Sequence, residues 1–362
     1  MRRFFLALGA IPVLGTLLSF SRRTHWVFRL WDFPRVQIAV VAAAAAAGLR
    51  LFRRSRADDA IIAACGATVL YQISRIKTYT PMVRPTVLRA EKEDPDNRVV
   101  LLISNVLMEN EEHDRVIDAI RSNDPDVVLL VEVDDRWNRA LDAVAHEYPH
   151  TLRKPLNNYY GMVLFSKLPL VKPRVDFLVQ EDIPSIHTGV RLRSGVVVQL
   201  HCLHPRPPEP IRDEPSSPRD AELVIVGRAI GAKKAQEPTI VAGDLNDVAW
   251  SSTSELFVRL SGLLDPRTGR GFYNSYNAKN PLFRYPLDHV FHSVHFELVR
   301  LRRLPSVGSD HFPILIELQY DRDGKRKQEP SHRKRGDEKK ADETLQQEAH
   351  DKATGYDRPR GE

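Results

Sequence analysis

Short apolar runs, each stopped by a polar side chain, constrain this chain more than any other feature. "VVLLIS" (99–104) delivers Asn105, "VVLLV" (127–131) delivers Glu132, "VVVQL" (196–200) delivers His201 and "TIVAG" (239–243) delivers Asp244. Further on, "RYPL" delivers Asp288, and "LPSVGS" delivers Asp310 and His311. Runs of this length and branching read as buried strands. Among them, "EEHDRVIDAIRS" sets Val116, Ile117 and Ile120 on one helical face; "DRWNRALDAVAHEY" and "SPRDAELVIVGRAIGAKK" are further helices. Strands first alternate with helices, then follow one another in hairpin-like series. That mixture predicts two packed sheets with helices on their outer faces, in one α/β domain over residues 99–320.

The 362 residues are 42% hydrophobic and 28% charged, a globular balance. A net charge of +6 suits nucleic acid or an anionic membrane surface as partner. Much of that charge, however, sits in the terminal segments rather than on one folded face. The two cysteines, Cys65 and Cys202, have neither zinc spacing nor the numbers for a disulfide framework, which leaves the redox compartment open.

The first 80 residues form a separate region. Apolar runs at 4–20, 36–49 and 59–74 are split by arginine-rich loops and flanked by Trp26 and Trp31. Each falls short of the ideal bilayer span of about 20 residues. A cleaved signal would explain the first run only. Three in succession predict about three transmembrane helices, the alanine-rich second packing through small residues. "MRR" and "RLFRRSR" favour a cytoplasmic N terminus and a domain on the far, extracytoplasmic side, against the arginines of the first loop. Residues 81–98 read as a linker. Residues 321–362 have almost no apolar side chains and are expected to be a disordered charged tail.

The polar strand ends share one chemistry. A carboxylate inside "LLVEV" is costly to bury unless it is paired or coordinated, and ligand sites in α/β sheets gather where strand ends meet. Hard carboxylates with few thiols select Mg2+ or Mn2+ over zinc. With Asp and His they suit phosphoester hydrolysis: the metal neutralises charge, Asp takes a proton from water and His stabilises the transition state.

Asn105, Glu132 in "LLVEV", "GMVLFSKLPL", "LHCLHP", "GDLND", "PLDHVF" and "GSDHFP" occur in this order over residues 99–318. The set resembles the endonuclease/exonuclease/phosphatase (DNase I-like) superfamily. The resemblance implies a four-layer α/β sandwich and a magnesium-dependent phosphoesterase. It makes Glu132 the principal metal ligand with Asn105 beside it, and Asp244 the acid that orients or deprotonates water. Asn246 would contact the scissile phosphate. Asp310 would bind metal or pair with His311, and His311 would contact the phosphate. Asp288 would orient an imidazole. Strand alternation favours His201 as the second histidine over its competitor His204. Asp247 and Asn110 read as turn and cap residues, and Tyr159 and Tyr160 as cleft or core residues.

The substrate is open at this stage. The segment 203–219 is proline-rich and mixed in charge, a poor surface for a DNA duplex. The membrane region makes the arrangement similar to membrane-anchored bacterial members of the superfamily. The expected protein is a multi-pass enzyme of the bacterial inner membrane, partnered with the bilayer and acting on a phospholipid or polyprenyl pyrophosphate. The alternatives are a nuclease of the same fold and a catalytically silent binding module.

Overall fold

The computed structural model describes residues 1–21, 23–52, 55–208, 215–233 and 237–355. In chain order the helices are α1 (Arg2–Leu18), α2 (Trp26–Arg29), α3 (Arg35–Leu49), α4 (Arg56–Ile76), α5 (His113–Asn123), α6 (Asp135–Ala140), α7 (Asp142–Ala145), α8 (Ser217–Gly231), α9 (Ser252–Ser261), α10 (Gly324–Lys327) and α11 (Asp337–Thr354). The strands are β1 (Arg98–Asn105), β2 (Val127–Val131), β3 (His150–Lys154), β4 (Met162–Ser166), β5 (Leu170–Asp176), β6 (Ser185–Arg191), β7 (Val197–Cys202), β8 (Thr239–Asp244), β9 (Asp288–His292), β10 (Phe296–Arg303) and β11 (Ile314–Tyr320).

One sheet has the order β10-β11-β1-β2-β4-β3, the other β5-β6-β7-β8-β9. Each contains one parallel pair, β1/β2 and β7/β8, amid antiparallel neighbours. A parallel pair needs a crossover, and α5 and α8 supply it. The inner faces meet in one core that joins Leu101, Ile103 and Leu129 to Leu200, Ile240 and Val290. On the outer side of the first sheet, Val116, Ile117, Ile120 and Trp137 cover Leu102 and Leu130. Leu223, Val226 and Phe257 of α8 and α9 cover Val241 and Phe291 of the second. These are four layers, helix–sheet–sheet–helix. β1 and β8 run to the same end of the sandwich, and there Asn105 meets Asp244.

Ahead of the sandwich, α1, α3 and α4 pack as a bundle with an inverted pattern. Its interior holds small and polar groups: Ala42, Ala45 and Cys65, with Gly9 close to Ile61, Cys65 and Ala45. Gln72 donates to Thr16 at 2.8 Å and accepts from Arg35 at 3.0 Å, and Arg35 pairs with Asp32 at 2.5 Å. Its exterior carries Phe4, Ile11, Leu14, Leu17, Val40, Leu70 and Ile73, all exposed. No single helix among the described residues is long and apolar enough to cross a membrane. The pair Trp26–Asp32 and Arg35–Leu49 has the length and composition together, bent by 76°.

One end of the bundle rests on the sandwich. Trp250 Nε1 donates to the Asp32 carbonyl at 2.7 Å, Tyr79 Oη to the Ala249 carbonyl at 2.8 Å, and Arg75 to the Trp250 carbonyl at 2.9 Å. Within residues 81–98, read as a linker, Leu88 and Ala90 exchange backbone hydrogen bonds with Leu298 and add to the edge at β10.

The disordered-tail expectation is corrected for residues 337–354. They form α11, which lays Ala341 against Val224, Leu256 and Leu260. Asp337 pairs with Arg259 at 2.8 Å and Asp342 with Arg228 at 2.7 Å. This helix is held chiefly by charge pairs on a neighbouring surface, a contact that low hydrophobicity conceals. Residues 356–362 of that tail lie outside the described residues.

Candidate active site

Glu132, Asn105, Asp244, Asn246, Asp288, His311 and His204 converge where β1, β2 and β8 end and β9 begins. Asn105 closes β1, and its Nδ2 donates to Glu132 Oε1 at 2.7 Å and to Asp244 Oδ2 at 3.0 Å. Its Oδ1 accepts from the Leu107 N–H at 2.9 Å. Asn105 therefore joins the two carboxylates and spends its oxygen on the backbone, which differs from the ligand role expected beside Glu132.

Glu132 follows β2 with φ 62°, and Asn246 follows β8 with φ 51°. Asparagine tolerates the left-handed region; glutamate does so rarely, and such backbone costs on the order of 1 kcal/mol. The flanking contacts impose it: Val106 N–H donates to the Val131 carbonyl and Val133 N–H to the Gly161 carbonyl. The turn aims Glu132 into the cleft instead of along the sheet face. A Cβ at Gly161 would stand 1.9 Å from the Val133 oxygen, so only glycine lets the neighbouring strand approach this turn.

His311 sits between two carboxylates. Its Nδ1 meets Asp288 Oδ2 at 2.7 Å and its Nε2 lies 3.5 Å from Asp244 Oδ2. Burial alone would depress the imidazole, but Asp288 and Asp244 outweigh it and raise His311 to about 10. Asp288 Oδ1 is buried without a hydrogen-bond partner among the described residues. Ser309 holds the segment: its Oγ donates to the Asn105 carbonyl at 2.8 Å and accepts from the His311 N–H at 2.9 Å.

Burial raises Glu132 to about 7, opposed by its hydrogen bond from Asn105. Asp244 moves the other way, because His311 and His204 overcome its burial and hold it low. Two neighbouring carboxylates are thus driven apart, one poised to gain a cation and one kept ionised.

The expectation for His201 is corrected. On β7, Val198, Leu200 and Cys202 face the sheet–sheet core, so His201 faces the opposite way. There its Nδ1 lies 2.7 Å from Nδ1 of His187, which reaches Ser185 at 2.9 Å. Burial drives His201 down to about 3, a neutral imidazole. His204, past the strand end, takes the site position: its Nε2 is 3.9 Å from Asp244 Oδ2, and its ring packs 5.5 Å from Tyr160. Alternation governs a strand, but the chain leaves β7 at Cys202 and turns into the cleft.

Asp310 interacts electrostatically with Glu132 and lies one residue from His311. Asn246 Nδ2 donates to the Pro205 carbonyl at 3.0 Å, and its N–H donates to Asp244 Oδ1 at 2.9 Å. Asp247 accepts from Ser251 Oγ at 2.5 Å and fastens the start of α9. Asn110 donates to the Val106 and Val307 carbonyls, a loop staple. Tyr159 and Tyr160, with Leu107, Glu109, Glu132 and His204, line a cleft of about 330 Å³. Tyr276, which sequence reasoning missed, lays its ring 5.0 Å from that of His311; no strand-end signal marks it.

A divalent cation fits the Glu132 side of this site. Asp244, Asp288 and His311 offer ligand atoms all within 4.8 Å of one another. In this arrangement the imidazolium itself bridges those two acids. Glu132, a half-buried carboxylate raised to about 7, is the group a cation would ionise, with Asp310 close by.

A model of the Endonuclease/Exonuclease/phosphatase family matches residues 102–311. Among solved structures, D. rerio TDP2 complexed with single strand DNA product aligns with TM-score 0.51 and 16% identity, covering 62% of this chain and 100% of that one. An endonuclease/exonuclease/phosphatase from Beutenbergia cavernae gives 0.48 and 19% over 62% of this chain and 72% of its own. The human Nocturnin catalytic domain with bound sulfate anion gives 0.49 and 18% over 67% and 100%. At these identities the likeness is one of fold. No curated protein matches the chain.

Proposed function

This chain belongs to the endonuclease/exonuclease/phosphatase family, and we propose that it is a membrane-anchored, divalent-metal-dependent phosphoesterase acting on a lipid-linked phosphate ester or pyrophosphate. The convergence of Glu132, Asp244, Asp288, His204 and His311 at the strand ends carries the reaction class. Glu132, with Asp310 beside it, would hold a divalent cation, Mg2+ or Mn2+ by its oxygen donors, which would supply charge neutralisation at the phosphoryl oxygens. Asp244, held ionised chiefly by the His311 imidazolium, aligns the attacking water and accepts its proton. His311 turns its Nε2–H, 3.5 Å from Asp244, to a phosphoryl oxygen, while Asp288 fixes the ring through Nδ1. Asn246 contacts the phosphate from the turn after β8.

The bundle supports the substrate class. Large apolar side chains outside and glycine, alanine and polar groups inside suit lipid surroundings, where close helix contact and internal hydrogen bonds hold helices together. The reading places the bundle in the bacterial inner membrane, as a bent and short-helixed anchor, with the sandwich on the extracytoplasmic side.

A nuclease reading has one point in its favour: a fold relative, D. rerio TDP2, is complexed with single strand DNA product. The test is one assay of the full chain in detergent, with Mg2+, against phospholipids, a polyprenyl pyrophosphate and plasmid DNA. Chelator-sensitive hydrolysis of a lipid substrate is expected. DNA cleavage with lipids untouched supports the nuclease, and hydrolysis of none of them overturns the enzyme reading in favour of a silent binding module.

A further inference from the structure

We propose that residues 277–284, backed by Arg284 and Arg303, form a foot that enters the headgroup layer of an anionic bilayer and seats the catalytic cleft at the lipid phosphates. The inference rests on the membrane reading above and adds the surface by which the site meets its substrate.

The tip of this loop is apolar and uncovered. Leu282 is 72% exposed and Phe283 51%, two large apolar side chains adjacent in the chain rather than scattered singly. The tip also adjoins the bundle: Gln37 Nε2 of α3 donates to the Leu282 carbonyl at 2.6 Å. Val36 and Val40, one turn apart and flanking Gln37 in sequence, are both exposed. The exposed apolar side chains of α3 and of the loop tip thus meet at Gln37, with Lys279 and Asn280 exposed beside them. At the loop's far end Phe33 packs its ring 5.5 Å from Tyr285.

The charge behind the tip is unbalanced. The Arg303 and Arg284 guanidinium groups lie over the ring of Phe312, at 4.3 Å and 5.0 Å from its centroid. Their hydrogen bonds go to the Asn274 and Asn277 carbonyls. Among the described residues no carboxylate pairs with either one. Burial and the charge of Arg284 both depress Arg303, as expected of cations crowded without an anion. Apolar tip and cationic base together are the pattern of an interfacial segment, with arginines at the depth of lipid phosphates.

The foot is also wired to the chemistry. Tyr276 N–H donates to the Tyr285 carbonyl at 2.9 Å and closes the loop, and Ala278 N–H donates to the Asp310 carbonyl at 2.6 Å. The Tyr276 ring faces His311. Phe312, the ring between the two arginines, follows His311 directly. The bilayer is the occupant this geometry favours over a protein partner, because the patch continues a surface already suited to lipid.

The test uses the full chain reconstituted in phosphatidylcholine vesicles with or without phosphatidylglycerol. A polarity-sensitive fluorophore is placed on Phe283→Cys, with Asp118→Cys on the outer face of α5 as control; native Cys65 and Cys202 are buried. The probe at 283 is expected to shift to the blue and to be quenched by spin-labelled lipid, more strongly with phosphatidylglycerol, while the probe at 118 stays aqueous. Arg284→Gln with Arg303→Gln should weaken the phosphatidylglycerol preference by about fivefold for each residue. A water-exposed probe at 283 in vesicles that retain the chain through an alkaline wash overturns the foot and leaves the membrane anchor standing. A chain that washes off overturns the anchor, and the foot with it.

Discussion

Nδ1 of His311 meets Oδ2 of Asp288 at 2.7 Å, inside the site and out of contact with solvent. The pair fixes the ring so that the other nitrogen faces Asp244. Asp288→Asn keeps the shape but removes the charge that holds the imidazolium. The expected outcome is a fall in kcat of about 10²–10⁴-fold with KM little changed, read on a soluble phosphodiester, with an unaltered circular dichroism spectrum. A rate within a fewfold of the parent would remove Asp288 from the mechanism.

His204 and His201 are three residues apart, the first past the end of β7 in the cleft and the second on β7 facing away from the sheet–sheet core. His204→Ala is expected to abolish most turnover with the fold retained. His201→Ala is expected to leave kcat/KM near the parent value and to lower the melting temperature, since it empties a buried contact with His187. Equal loss of turnover in both variants would contradict the assignment.

Metal dependence is checked separately from catalysis. Chelation is expected to abolish activity, with recovery on adding Mg2+ or Mn2+. Glu132→Gln should weaken Mn2+ binding by at least about tenfold in calorimetric titration, because the carboxylate is the group a cation ionises. Affinity unchanged by this substitution would move the metal to other ligands.

Glu222 gives a pH prediction outside the site. It is fully buried on α8, and burial raises it from 4.5 to about 8. In the folded protein it keeps its proton; in the unfolded chain it loses it near 4.5. The folded state then binds more protons, so the contribution of Glu222 to stability is fully present below pH 4.5 and is lost as pH rises to about 8. The slope is at most about 1.4 kcal/mol per pH unit. Glu222→Gln should flatten the melting temperature across this window and raise it at pH 8; a melting curve as steep as the parent's counts against the buried acid.

Sequence alone determined the strands that end at Asn105, Glu132 and Asp244, though not β3 or β5, and it read Asp288 as a strand end where it opens β9. Burial of an apolar run and the position of the group that stops it are local facts: "VVLLV" before Glu132 and "TIVAG" before Asp244 carry them without reference to the rest of the chain. Asp247, read as a turn residue, accepts from Ser251 four positions on, which is also local, whereas Asn110 adds to its local bond with Val106 a distant one to Val307. Tertiary structure decided what depends on distance along the chain. Whether His201 or His204 reaches the cleft turns on where β7 ends, and that is set by pairing with β6 and β8. Asn105 spans Glu132 and Asp244, partners 27 and 139 residues away, so its orientation has no local signature. Tyr276 reaches His311 through a loop, and α11 finds its surface through ion pairs with α8 and α9. Strand identity follows from which side chains leave water; the roles within the site follow from which distant chain ends the two sheets bring together.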